Sequence, residues 1–230
     1  MSAIVLFGSR ISPFVEKVAR GLGLKKLAFE LVEPASPLDL RKWNRQTGKM
    51  PVLDLDGERL YDSTFILRTL DERFPSPPLL ADDPHLAAAQ RQLEDWADES
   101  LYWYLMALRW SDRNAAATAE QITGSAPALL RPVVRAIVPW WVGRMPAVQG
   151  LGRLPYDVLV RELGGRLDDL VRVLGDRPFF YDDRPGVADL AVYGQLHMAR
   201  SGPTPEVDGL IAERAALVAH MQRVEQATTA

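Results

Sequence analysis

The spacing of apolar positions changes quickly along the first third of the chain. Ala3-Ile4-Val5-Leu6-Phe7 is an unbroken apolar run, the pattern of a strand covered on both faces. Ser12-Pro13 then opens a helical spacing, with Phe14, Val18 and Leu22 four apart and Gly23 at its end. Phe29 to Val32 reads as a second strand, and Pro37 to Arg45 as a short polar helix. Val52 to Leu55 and Glu58 to Tyr61 flank Asp56-Gly57, a dipeptide that favours a hairpin turn. Ser63 is expected to cap a helix carrying Ile66, Leu70 and Phe74. A parallel pair joined by a crossover helix, then a hairpin and a covering helix, is the order of a thioredoxin-like domain.

Phe74-Pro75-Ser76-Pro77-Pro78 cannot continue that helix, and proline-rich linkers are stiff. The pattern therefore predicts a first domain over residues 1–75, a linker over 76–83 and an all-helical domain over 84–230. In the last of these, Leu86, Leu93, Trp96, Ser100, Tyr104 and Leu108 mark one face of a single long helix. Tyr156, Leu159, Leu163, Leu167, Leu170 and Leu174 mark another, with Pro155 near its start and Gly175 just past its end. Val207, Leu210, Ile211, Val218 and Met221 mark a last one. Ala115 to Arg144 is apolar but interrupted by Pro127, Pro132 and Pro139, which predicts helix with kinks. The fold class is thus α/β followed by all-α.

Composition narrows the chemistry. The chain has 230 residues, with 47% apolar and 25% charged, ordinary proportions for a globular protein with a full core. Lys+Arg 27 against Asp+Glu 30 leaves −3, which argues against nucleic-acid binding by bulk charge. With no cysteine, disulfides, thiolate metal sites and cysteine nucleophiles are excluded. Uncharged runs stop at about ten residues, short of the ~18–20 of a membrane span. Met1 to Phe7 has no basic flank or small-residue cleavage site, so no signal peptide is expected there, and a cytoplasmic location is expected. His85, His197 and His220 lack metal-ligand spacing and read as structural or surface residues; no metal is expected.

Three segments carry candidate chemistry, and each has two readings. Ser12-Pro13-Phe14 can be a helix cap, or a hydroxyl beside the positive end of a helix where an anion is favoured. Lys49-Met50-Pro51-Val52-Leu53 can be a plain strand entry, or a cis X-Pro turning backbone groups towards a peptide ligand. Tyr61-Asp62-Ser63-Thr64 can be another cap, or a site where Ser63 meets a carboxylate and Asp62 an ammonium.

Taken together and in this order, the three segments resemble the glutathione S-transferase superfamily, most closely its serine-type classes such as tau. The resemblance extends over nearly the whole chain. In the second half, Arg109-Trp110, Gln149-Gly150-Leu151-Gly152-Arg153 and Asp176-Arg177-Pro178-Phe179-Phe180 look like the failed-axon-connections and metaxin-like branch, many members of which have no established enzymatic role. Gly186-Val187-Ala188-Asp189 stands where the family has Ser/Thr-x-x-Asp.

The resemblance implies a transferase that uses glutathione as co-substrate in detoxification. Ser12 would donate a hydrogen bond to its thiolate. Met50 and Pro51 would hold the cysteinyl unit. Lys49, with Arg41 or Lys42, would meet the glycine carboxylate, and Asp62 and Ser63 the γ-glutamyl end. No tyrosine follows the first strand, and Ser9 is the remaining alternative to Ser12. Trp96, Trp103 and Trp110 recur every seven residues with Tyr102 and Tyr104 between them. They fit either a packed aromatic face or, through Trp103, Tyr104 and Trp110, a wall for a small hydrophobic electrophile. Trp140-Trp141 is equally ambiguous. A homodimer is expected. The rival implication is a non-catalytic glutathione-binding or adaptor protein on the same fold.

Overall fold

The computed structural model describes residues 4–124, 131, 132, 135, 138, 140 and 142–229. Trp141, Pro127 and Pro139 lie outside the described residues. Strand β1 (Ile4–Phe7) is an inner strand of a four-stranded sheet of order β2-β1-β3-β4. β2 (Glu30–Val32) pairs parallel to it with Leu31 opposite Leu6, and β3 (Val52–Leu55) pairs antiparallel with Leu53 opposite Leu6. β4 (Glu58–Tyr61) completes the hairpin. Asp56 and Gly57 sit at φ 54° and 86°, the double positive φ that the Asp-Gly dipeptide tolerates in a two-residue hairpin turn.

Helices α1 (Pro13–Leu24), α2 (Pro37–Trp43) and α3 (Ser63–Arg73) complete this domain. Val15, Val18 and Leu22 of α1 and Ile66, Leu67 and Leu70 of α3 join one core with Leu6 and Leu53. Fold class follows the sequence reading, while several helix limits shift. The cap of α3 is Asp62, not Ser63: at φ 70° its Oδ1 accepts from the Thr64 and Phe65 N–H groups at 3.0 and 3.2 Å. Ser63 becomes the first helical residue.

The helical domain comprises α4 (Pro84–Trp96), α5 (Tyr102–Arg109), α6 (Ala115–Thr123), α7 (Met145–Gln149), α8 (Tyr156–Leu174), α9 (Val187–Arg200), α10 (Pro205–Ala212) and α11 (Ala215–Thr228). The expected single long helix is interrupted at Ala97–Leu101 by a wide π turn joining α4 to α5. Such a turn inserts one residue and rotates every later side chain by about 100°. The last helix divides into α10 and α11 around Glu213-Arg214. Central to the domain is α9, whose Leu190, Val192, Tyr193 and Leu196 are all fully buried. A helix apolar on most sides is a core helix.

α9 also crosses the start of α1. A Cβ on Gly194 would lie 2.4 Å from the Pro13 carbonyl oxygen, so only glycine permits this approach. Beside that crossing, Lys17 of α1 is fully buried. Its Nζ lies 2.6 Å from both Glu94 Oε1 of α4 and Asp98 Oδ2 of the π turn, and donates to Thr64 Oγ1 at 3.0 Å. Burial works against the ammonium, yet Asp98 and Glu94 outweigh it and raise its pKa; burial pushes the Asp98 carboxyl up. Lys25 Nζ ties the linker by bonding Asp71 Oδ1 and the Phe74 and Pro77 carbonyls.

The departure at Gly186 also has a steric cause. A Cβ there would meet the Leu79 carbonyl at 2.8 Å, so no side chain fits at this cap. Asp189 keeps the acid half of the capping box: its Oδ2 accepts the Gly186 N–H at 2.8 Å and its Oδ1 the Phe180 N–H at 2.9 Å. His220 Nε2, on α11, lies 2.7 Å from the same Oδ1, and both side chains are fully buried.

Candidate active site

Three loops at the ends of β1, β3 and β4 bring the sequence-derived residues to one edge of the sheet. Gly8 opens the β1–α1 loop at φ 149°, and a Cβ there would lie 2.5 Å from Val15 Cγ2. The loop then turns through Arg10 and Ile11, closed by the Ser12 N–H on the Ser9 carbonyl at 2.9 Å. Ser12 sits at the N-cap of α1 with Pro13 following, as the pattern predicts, but its hydroxyl makes no cap hydrogen bond. Ser12 is half-buried at the start of α1, the end at which a helix leaves N–H groups without an intrahelical partner and carries its positive charge. Ser9 is placed differently: its hydroxyl donates to Glu33 Oε1 at 2.9 Å and its N–H to the Met50 sulfur at 3.3 Å.

The Met50-Pro51 bond is cis, matching the second reading of that motif. Lys49 is exposed on a turn that sequence reasoning overlooked. Buried Asn44 organises it, donating through Nδ2 to Thr47 Oγ1 at 2.7 Å and to the Lys49 carbonyl at 3.3 Å, and accepting the Thr47 N–H. Asn44 carries no sequence signal beyond ending α2. Arg41 lies against Gly48 of the same loop, the Cβ position of the glycine being 3.3 Å from Arg41 Cγ. Lys42 instead turns to Asp39 Oδ1 at 3.0 Å. Asp62 Oδ1 is committed to the α3 cap, which leaves Oδ2 open, and Ser63 is buried next to it.

The aromatic set is redistributed. Tyr102 faces α1, its ring 5.1 Å from that of Phe14, with the Trp103 ring 5.2 Å from Tyr102. Tyr104, expected in the wall, is turned towards α8, where the Arg166 guanidinium lies 3.9 Å over its ring. The π turn explains this: after one inserted residue, the seven-residue successor of Trp96 is Tyr104 rather than Trp103. Trp110 is buried and lines a separate cavity of about 400 Å³ with Arg113, Arg144 and Tyr156. Burial pushes the Tyr102 phenol up to about 12, so it stays protonated at neutral pH and can donate a hydrogen bond. Among the described residues no group of acids and histidines is placed to hold a metal.

Comparisons with known proteins give the family. The N-terminal domain family of glutathione S-transferases matches residues 6–78, and the C-terminal domain family matches residues 165–224. The isoprene-epoxide glutathione S-transferase of Rhodococcus sp. (strain AD45) is 26% identical over 228 residues, covering 94% of this chain and 92% of that one. A probable glutathione S-transferase of Solanum tuberosum is 36% identical over 95 residues; the match spans 40% of this chain and 43% of the relative. Among solved structures, a glutathione S-transferase of Methylobacterium radiotolerans in complex with glutathione sulfonate is similar at TM-score 0.66 and 26% identity, covering 99% of this chain and 95% of that one.

Proposed function

The chain belongs to the glutathione S-transferase superfamily, and from that premise we propose that it is a serine-type glutathione transferase that conjugates the tripeptide to a small hydrophobic electrophile. The observation that carries the reading is the Ser12 hydroxyl, placed at a helix N-terminus yet free of any cap bond. Within the superfamily our reading is that the N-terminal site is of serine type and that the helical half resembles the failed-axon-connections and metaxin-like branch.

The energetics are sufficient without a general base. A free thiol ionises near ~8.5. Making it mostly thiolate near neutrality takes ~2 units, or ~2.7 kcal/mol. A charge-assisted hydrogen bond supplies ~1.5–3 kcal/mol and a helix N-terminus ~0.3–1 kcal/mol. Ser12 donates to the sulfur and is never itself the nucleophile. The thiolate attacks the electrophilic carbon, and the leaving group departs or a strained ring opens. Phe14, Tyr102 and Trp103 line the side from which the electrophile approaches. Met50 pairs its backbone with the cysteinyl unit, Lys49 and Arg41 meet the glycine carboxylate, and Asp62 and Ser63 hold the γ-glutamyl end. Conjugation assayed with glutathione and a panel of electrophiles tests the reading; no turnover with any of them leaves a binding protein.

Asp62→Asn separates recognition from folding. Asparagine keeps the Oδ1 acceptor for Thr64 and Phe65 but loses the charge opposite the ammonium. Glutathione affinity is expected to fall about tenfold, the order of one charge-assisted bond, with thermal stability little changed. Calorimetric titration beside a melting curve checks both.

The expected homodimer also has candidate surfaces. Phe65 on α3 is 58% exposed, and a groove of about 650 Å³ between α4 and α8 has Leu93, Trp96, Leu170 and Val173 at its apolar part and Arg161, Glu162, Arg166 and Asp169 around them. We place the first domain of each subunit against the helical domain of the other, Phe65 in that groove, in a closed two-fold pair. Phe65→Ser is then expected to convert a species of twice 25.6 kDa into monomer by light scattering. A wild-type protein that is already monomeric at micromolar concentration counts against it.

A further inference from the structure

We infer that Arg10 and Glu16 form a clamp that positions Ser12 for its thiolate bond. This rests on the serine-type reading above. The turn carrying Ser12 has two ends to secure. Its backbone is closed by the Ser12 N–H on Ser9, and the Glu16 N–H binds the Ser12 carbonyl at 3.0 Å. The Arg10 side chain then folds back from the turn over α1. Its Nε reaches Glu16 Oε2 at 2.6 Å and its Nη2 reaches Oε1 at 2.9 Å, a two-pronged pair. Planar bidentate pairs of this kind fix orientation as well as distance.

Glu16 is itself anchored. It is fully buried, and Arg20 Nε donates to its Oε1 at 2.7 Å. Arg20 continues into the helical domain, donating to Thr228 Oγ1 at 3.1 Å and to the Tyr193 hydroxyl at 3.0 Å. Tyr193 in turn donates to Glu225 Oε1 at 2.7 Å, with His197 Nδ1 at 3.4 Å. The charged and titratable groups around Glu16 are therefore Arg10, Arg20, Tyr193, His197 and Glu225. Burial works against the Glu16 carboxylate, but Arg10 and Arg20 outweigh it and hold its pKa down, so the clamp is ionised at working pH. Arg10, with 42% of its side chain exposed, carries this cluster to the surface two residues before Ser12.

Arg10 is thus a positioning residue. A rival role, acting on the sulfur directly through its charge, makes opposite predictions. Arg10→Lys keeps the charge and loses the fork. Positioning predicts that the pH midpoint for ionisation of bound glutathione rises by about one unit, leaving about threefold less thiolate at pH 7, with affinity little changed. A direct field predicts no rise. Glu16→Gln separates the two by sign: the midpoint rises if the clamp is loosened, and falls if an unneutralised Arg10 acts on the sulfur. If Glu16→Gln does not fold, Arg10→Lys decides.

The experiment reads ultraviolet thiolate absorbance of the bound tripeptide in wild type, Ser12→Ala, Arg10→Lys, Glu16→Gln and the Ser12→Ala/Arg10→Lys double variant. The clamp predicts that Arg10→Lys adds nothing in the Ser12→Ala background, because it acts through Ser12. A full additional shift there, an unmoved midpoint in Arg10→Lys, or a fall in Glu16→Gln overturns the inference while leaving Ser12 in its role. An unmoved midpoint in Ser12→Ala itself overturns the serine-type reading, and the clamp with it.

Discussion

Replacing Ser12 with alanine is expected to raise the pH at which bound glutathione ionises by about one to two units, from the ~1.5–3 kcal/mol of a charge-assisted bond. The hydroxyl matters little to neutral thiol and much to thiolate. Glutathione affinity should therefore hold, while conjugation at pH 7 falls about three- to twenty-five-fold with the thiolate population. An N-cap serine would behave otherwise, losing ~1 kcal/mol of folding stability on truncation. Because the Ser12 hydroxyl makes no cap bond, its removal is expected to leave the melting temperature nearly unchanged. A titration curve that does not move, together with a thermal defect, would reduce Ser12 to a cap. Ser9 is a poor substitute in that event, since its hydroxyl is already given to Glu33.

The largest loss of stability is expected from Asp189→Ala. Its two oxygens receive the Phe180 and Gly186 N–H groups and face His220 Nε2, all in the fully buried centre of the helical domain. Truncation leaves two backbone donors and an imidazole without this partner. Each unmet buried group costs ~1–3 kcal/mol, and three are left here. A deficit of at least ~4 kcal/mol is expected against a total of ~5–15 kcal/mol. Asp189→Asn, which keeps the volume and one acceptor, is expected to lose less. Urea denaturation compares the three, and a deficit under ~1 kcal/mol for alanine would show that the site collapses or admits water.

What was legible in the sequence was local. The strand at residues 4–7, the Asp56-Gly57 turn, Ser12-Pro13 at a helix start and Pro51 ahead of a strand each follow from the conformational habits of neighbouring residues. What was missed depends on contacts distant in sequence or on helix phase. Lys17 reads as one more polar position on α1; its partners are Glu94 and Asp98, and nothing near it announces them. Asp62 and Ser63 are both good caps, and backbone φ decided between them. The π turn at Ala97–Leu101 contains neither proline nor glycine, so its presence was silent. One inserted residue then moved Tyr104 away from the cleft and left Tyr102 beside Phe14. Asn44 shapes the Lys49 loop by filling it, a role that composition does not reveal.

The Lys17 triad also bears on how this protein can be recombined with its relatives. Lys17 comes from the sheet domain and both counter-charges from the helical one. A chimera joined at the linker to a half that lacks the matching charges would bury a lysine without acids, or two acids without a lysine. An uncompensated buried charge costs ~3–5 kcal/mol, a large share of a typical domain's stability. Wherever the two parents differ at residues 17, 94 and 98, a productive crossover has to carry the three as one inherited block.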